Sequence, residues 1–98
     1  MSNIELDLEH QVLIITPKYL PEADEFELWG KIFLHYPEEV KILEYAQGAD
    51  RHQLRFCYAE HNFNLNFEHY SESIWVSPEG YDAEAQLGNL QQLFLSNS

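Results

Sequence analysis

Hydrophobic and polar positions alternate most clearly between Leu54 and Val76, in LRFCYAEHNFNLNFEHYSESIWV. Side chains along a strand point to opposite faces with period two, so each strand sorts its residues onto two faces. A two-residue turn at Glu60-His61 sets Tyr58 opposite Phe63, Phe56 opposite Leu65 and Leu54 opposite Phe67. A second such turn at Ser71-Glu72 sets Phe67 against Val76 and His69 against Ile74. All these apolar residues then share one face. The other face carries Ala59 with Asn62, Cys57 with Asn64, Arg55 with Asn66, and Glu68 with Trp75. A one-residue slip would expose the aromatic row, so the pattern predicts an antiparallel meander with one buried and one solvated face.

The flanking segments extend the pattern. Ile4, Leu6 and Leu8 alternate with Glu5, Asp7 and Glu9, a half-buried strand that turns at Glu9-His10, with or without Gln11. Val12 to Ile15 is apolar on both faces, which suggests a central strand or one covered on both sides, and Pro17 ends it. Pro21 opens a helix whose stripe is Phe26, Trp29, Ile32, Phe33 and Tyr36, and Pro37 stops it. Gly30 inside this helix allows a close approach to the sheet. Val40 to Ala46 forms the next strand, with a turn at Gly48-Ala49-Asp50. A three-residue loop there buries Val40 and Ile42, and a four-residue loop buries Leu43 and Tyr45; the first extends the aromatic row and is preferred. After Ser77-Pro78-Glu79-Gly80, Asp82 is the expected N-cap of a last helix with Ala83, Leu87, Leu90, Leu93 and Phe94 inward. Gly88 weakens that helix, and Ser96, Asn97 and Ser98 should fray. The expected fold is a two-layer α+β domain over residues 1–98, in the order β-β-α-β-β-β-β-α, with both helices on one face of an antiparallel sheet. Its core should include Trp29, Phe33, Leu54, Phe56, Phe63, Leu65 and Phe67.

Charge narrows the function classes more than any motif. Seventeen acidic residues stand against five Lys and Arg, a formal net charge of −12. Phosphate backbones are met by Lys and Arg clusters, so nucleic acid and anionic membranes are not expected partners. A basic protein partner is compatible, and so is acidity that only maintains solubility. A single Cys forms no internal disulfide, and the acidic start MSNIELDLEH lacks the features of a secretory signal, so a cytoplasmic location is expected.

Candidate chemistry is sparse. The four glycines stand singly, and no G-x-S-x-G, H-E-x-x-H or C-x-x-C occurs. No cofactor is therefore expected. His52, His61, His69 and Cys57 fall in one meander, but His61 and His69 should lie roughly 26 Å apart at about 3.3 Å per residue. Cys57 points away from His69, so no metal site is expected. No histidine falls beside Cys57 to act as its base, and Glu38-Glu39 and the Glu22 to Glu27 group read as solvated helix ends, so no catalytic residue is assigned.

The solvated face remains. Alternating Asn62, Asn64 and Asn66 are unusual in a strand, and Trp75 among polar residues gives an apolar anchor beside Arg55 and Glu68. Trp75, Arg55, Asn64, Asn66 and Glu68 are the candidate protein-binding residues. The stretch His69 to Gly80, HYSESIWVSPEG, with the meander and last helix around it, resembles small uncharacterised bacterial proteins classed as a family of unknown function. That resemblance implies no activity. The leading expectation is a non-enzymatic domain that binds a protein partner, a second copy of itself included. An acidic inhibitor or immunity-type protein that neutralises a basic enzyme is the second. A ligand-binding domain or small enzyme with a pocket between sheet and helices is the third, which a polar pocket with convergent side chains would favour.

Overall fold

The computed structural model describes residues 3–35 and 39–96. The expectations for Tyr36, Pro37, Glu38, Asn97 and Ser98 lie outside these. Six strands form one antiparallel sheet: β1 (Asn3–Asp7), β2 (Val12–Thr16), β3 (Val40–Gln47), β4 (Arg51–Tyr58), β5 (His61–Glu68) and β6 (Ser73–Pro78). Their spatial order is β1-β2-β6-β5-β4-β3. The β3 to β6 meander thus folds back until β6 pairs with β2. Helices α1 (Phe26–Phe33), α2 (Tyr81–Glu84) and α3 (Leu87–Ser96) pack on one face, giving the two-layer α+β fold.

The buried face is the one the alternation selects. Leu54, Phe56, Phe63, Leu65, Phe67, Ile74 and Val76 are all buried, with Leu13 and Ile15 of β2 beside them. The partners, however, differ from the expected ones by two residues. Ala59 and Glu60 make the first turn, both at positive φ (53° and 68°), and Tyr58 pairs with His61. Phe56 therefore faces Phe63, Leu54 faces Leu65, and His52 faces Phe67. The second loop spans His69 to Glu72, so Trp75 faces Asn66 rather than Glu68. A shift of two keeps every side chain on its face, because the side-chain period is also two.

Both registers expected for β3 occur, one on each side of an irregularity, but of the pair Leu43 and Tyr45 only Tyr45 packs against the core. Val40 and Ile42 pair with Tyr58 and Phe56; the register then shifts between Ile42 and Glu44, and Tyr45 pairs with Leu54. Leu43, at the shift, is left exposed. A bulge adds one residue to one strand, and so returns an apolar residue of odd spacing to the core face.

The first helix starts later and is narrower than its stripe suggests. A 3-10 turn at Ala23–Glu25 precedes it, and the Glu22 backbone N–H donates to the Glu25 carboxylate at 3.1 Å. Phe26 is buried and Trp29 and Phe33 are packed against the core, whereas Ile32 is 67% exposed and not part of it. Gly30 lies against Leu54 and Leu65, and a methyl group there would run into the Leu54 side chain, so the close approach read from the sequence is present. Phe67, Phe26, Trp29, Phe33 and Phe94 form a continuous run of ring contacts, with centroids 4.8–6.1 Å apart, joining sheet, α1 and α3. At the C-terminal end, Gly80 (φ 99°) caps α2 in place of Asp82, and the segment breaks at Ala85-Gln86 into a single turn and α3. The inward stripe of Ala83, Leu87, Leu90 and Phe94 survives the break.

Candidate functional site

Two surfaces hold the residues with chemical potential, one on each face of the sheet. The first is the face opposite the described helices. Across the strands, Glu5, Ile14, Trp75, Asn66, Gln53 and Ala46 form one lateral row, each paired with the next. Ile14 is exposed and lies beside half-buried Trp75. No other layer of the described residues therefore covers Ile14, and its apolar neighbour across the ladder is Trp75.

The polar residues of this face are tied to one another. Arg55 donates from Nε and Nη2 to Glu79 at 2.8 and 2.9 Å, and Asn64 donates to the same carboxylate at 3.0 Å. Glu44 adds a longer contact to Arg55 at 3.8 Å. The hydrogen bond from Arg55, opposed by partial burial and helped by Asn64, holds the Glu79 carboxyl below its ordinary range. Asn66 is buried. Its amide nitrogen donates to the Asn64 and Trp75 carbonyls and to Ser77 Oγ, and its oxygen accepts from Gln53 at 2.8 Å. Four partners on three strands explain an Asn where propensity disfavours it: it pins β4, β5 and β6 together. Arg51 lies over the Trp75 ring at 5.2 Å from its centroid and within 3.9 Å of Glu68.

Of the five residues selected from sequence, Arg55 and Asn64 thus meet at Glu79. Asn66 is an internal linchpin rather than a contact surface. Trp75 and Glu68 meet through Arg51. Glu79 and Arg51 were not selected. Glu79 follows the last strand, where alternation carries no signal. Arg51 is separated from Trp75 by the two-residue register shift.

The second surface is a cavity of about 460 Å³ between the 3-10 turn, the start of α1 and the β3–β4 loop. Tyr45, His52 and His69 line it, with Asp24, Glu27 and Gln47 around them. His52 Nε2 and His69 Nε2 are 2.7 Å apart, and the Tyr45 hydroxyl is 2.6 Å from His52 Nδ1. One proton lies between the two Nε2 atoms, since two neutral lone pairs or two N–H groups at that distance would repel. Burial, and then the proximity of Glu27, raises the Tyr45 phenol above its usual range. Burial, and then His69, lowers the His52 pKa. Phe26 and Phe67 pack against the His52 ring, and Phe67 against His69.

His61 and His69 do stand at opposite ends of β5, but His52 was the partner to consider. Core-face parity holds for His52 on β4 and for His69 just past β5, and both lie at the β3–β4 loop end of the hairpin. That parity was the available signal. Cys57 pairs with Asn62 on the other face, without a histidine beside it in the ladder. Among the described residues, no three His, Cys, Asp or Glu side chains gather as a ready metal cluster. No described helix is long and apolar enough to cross a membrane.

A family model described as "Protein of unknown function (DUF3630)" matches residues 1–94. No curated protein and no solved structure matches the chain.

Proposed function

The chain belongs to the DUF3630 family of proteins of unknown function, and we propose, from its geometry and charge, that it is a non-catalytic domain that docks a basic protein on the open face of its sheet. The observation that carries this reading is the Ile14–Trp75 pair at the centre of β2 and β6, on a face that spans six strands and that none of the described helices covers. Trp is a frequent energetic anchor of interfaces, and anchors act best on rigid ground ringed by polar groups. Arg55, Asn64, Asn66 and Glu79 provide such ground, since their mutual bonds fix them before any partner arrives. Glu5, paired with Ile14, and the net charge of −12 favour a Lys- and Arg-rich partner. A basic enzyme inhibited by this chain is one form of such a partner. The working location of this reading is the cytoplasm.

A photo-crosslinking residue at position 14 should capture a basic protein in native cells, and the same residue at position 28, exposed on α1, should not. The purified partner should then lose at least thirtyfold affinity on Trp75→Ala, about 2 kcal/mol. Crosslinking at 28 alone, a self-adduct alone, or unchanged affinity in Trp75→Ala would overturn the reading.

A second reading, a small-ligand site, is favoured by the Tyr45–His52–His69 cavity, whose polar side chains converge between sheet and helix. The two readings use opposite faces and exclude neither one the other.

A further inference from the structure

Two imidazoles that meet nearly head-on have room for one proton on the line between them. His52 Nε2 and His69 Nε2 are 2.7 Å apart, with ring centroids 4.8 Å apart. His52 is fixed. Its strand is paired on both sides, with Gln47 and Phe67, its ring packs against Phe26 and Phe67, and the Tyr45 hydroxyl holds its Nδ1 at 2.6 Å. His69 is held more lightly. It stands just past β5, half-buried, at the head of the exposed loop 70–72. Glu72 ends that loop at φ 51°, in the left-handed region that residues with a Cβ disfavour. The His69 backbone N–H donates to the Asp50 carbonyl at 3.1 Å, and its carbonyl accepts from the Glu72 N–H at 3.2 Å. His69 is also the wall between two cavities. One is the cavity of about 460 Å³ already described; the other, of about 340 Å³, is lined by Glu22, Phe67 and Glu72, and Ala23 and His69 border both.

We propose that the His52–His69 pair is a pH-operated latch: at neutral pH it holds loop 69–72 against the core, and in mild acid the pair breaks, His69 swings out and the two cavities join. The device lies on the helical face and goes beyond the docking reading, which uses the other face. Proton count sets its direction. In the neutral pair one Nε2–H donates to the other Nε2. One added proton makes one ring an imidazolium and leaves that bond in place, now charge-assisted. A second added proton puts N–H groups on both facing nitrogens, with no lone pair between them and two like charges in contact. The open state accepts both protons, so falling pH favours opening by about one proton, up to about tenfold per pH unit. Burial, and then His69, lowers the His52 pKa, in the same sense. The latch is therefore fully closed above the ordinary histidine pKa of about 6.5 and weakens as pH falls through it. The charged and titratable groups around the pair are Glu22 and Asp24 at the 3-10 turn, Glu27 of α1 with Lys31 bonded to it at 2.7 Å, Tyr45 of β3 and Glu72 of the loop. The acids attract an imidazolium whether the latch is open or closed. The opposed N–H groups and the burial of His52 act against it in the closed state alone, because departure of His69 admits water to His52.

The test is an NMR titration of the full chain from about pH 7.5 to about pH 4.5, reading the histidine ring nitrogens and the exchange of the His69 backbone amide corrected for its intrinsic rate. At the neutral end, one ring N–H proton should couple to the Nε2 atoms of both rings. Between about pH 7 and pH 5 that coupling should vanish and protection of the His69 amide should fall at least tenfold, while amides at the centre of β4 and β5 keep theirs. His69→Asn retains a hydrogen-bonding side chain and cannot titrate, so its amide protection at position 69 should change by less than about twofold over the same interval. Coupling and protection that persist to the acid end overturn the inference. So does an equal loss of protection in His69→Asn, which assigns the effect to the surrounding carboxylates. Simultaneous loss across β4 and β5 overturns it as well, since that is acid unfolding of the whole domain and not the release of one loop.

Discussion

Arg55 is gripped by Glu79 through two parallel hydrogen bonds, and Asn64 accompanies it onto the same carboxylate. Bidentate pairs of this kind are stronger than single-point ion pairs, although these side chains keep about a third of their exposure and solvent screens them. Because Arg55 holds the Glu79 carboxyl below its ordinary range, the native state prefers the ionised form more than the unfolded chain does. The sign follows from linkage: the contribution is fully present above the ordinary glutamate pKa and is lost as pH falls through the lower, folded value. Glu79→Gln removes that dependence. Urea midpoints measured from pH 7 to pH 3 should therefore fall less steeply for Glu79→Gln than for the wild type, with a gap at neutral pH of about 1 kcal/mol or less. Parallel curves would mean that the carboxylate contributes nothing through its charge. Nothing in the alternation singled out Glu79, since it follows the last strand; the neighbouring Asn64 and Arg55 were readable only as members of a face.

At the level of elements, the faces of the sheet were legible and the pairings were not, for one physical reason. Face assignment depends on parity, and both hairpins shifted by two residues, which preserves it. Pairing depends on turn chemistry, and neither loop contains the Asn-Gly or Asp-Gly that marks a tight hairpin. The same shift conceals the Trp75–Asn66 and Arg51–Trp75 neighbourhoods on the open face. The histidine pair was open to parity but calls for pairing polar residues across a core that hydrophobic patterning treats as apolar. The β4–β5 turn also stores strain. Ala59 and Glu60 both adopt φ near +60°, a region that costs an L-residue with a Cβ about 1–2 kcal/mol and that Asn and Gly accept. Both residues are exposed, so little packing is lost on replacing them. The double variant Ala59→Asn, Glu60→Gly should stabilise the protein by about 1 kcal/mol in urea denaturation, the gain from relieved strain being partly offset by the greater freedom of Gly in the unfolded chain. A loss of stability would show that the two-residue turn is held by interactions of the Ala59 or Glu60 side chains, not tolerated despite them.

Across the whole molecule, charge and shape act together. A formal charge of −12 is spread over a chain whose Cα radius of gyration is 12.3 Å, so the acids repel one another more in the folded state than in the expanded one. Among the described residues four Arg–acid and Lys–acid contacts, at Lys31–Glu27, Arg51–Glu68, Arg55–Glu44 and Arg55–Glu79, work in the opposite sense. Exposed pairs contribute about 0–1 kcal/mol each and weaken with salt, whereas the excess of acids is felt by every carboxylate on the surface. Salt should therefore stabilise the fold. Raising ionic strength from about 0.01 M to 0.15 M shortens the Debye length from about 30 Å, longer than the molecule's radius, to about 8 Å. The melting temperature should rise by about 4 °C or more over that interval, the equivalent of about 1 kcal/mol at this chain length, and then level off. A continued rise to 1 M NaCl would indicate salting-out of apolar surface instead, and a flat or falling curve would mean that the local pairs outweigh the global repulsion. The same screening bears on the docking reading. If the open face meets a basic partner, association should slow over the salt range that stabilises the free domain, because the field that destabilises the fold is the one that draws the partner in.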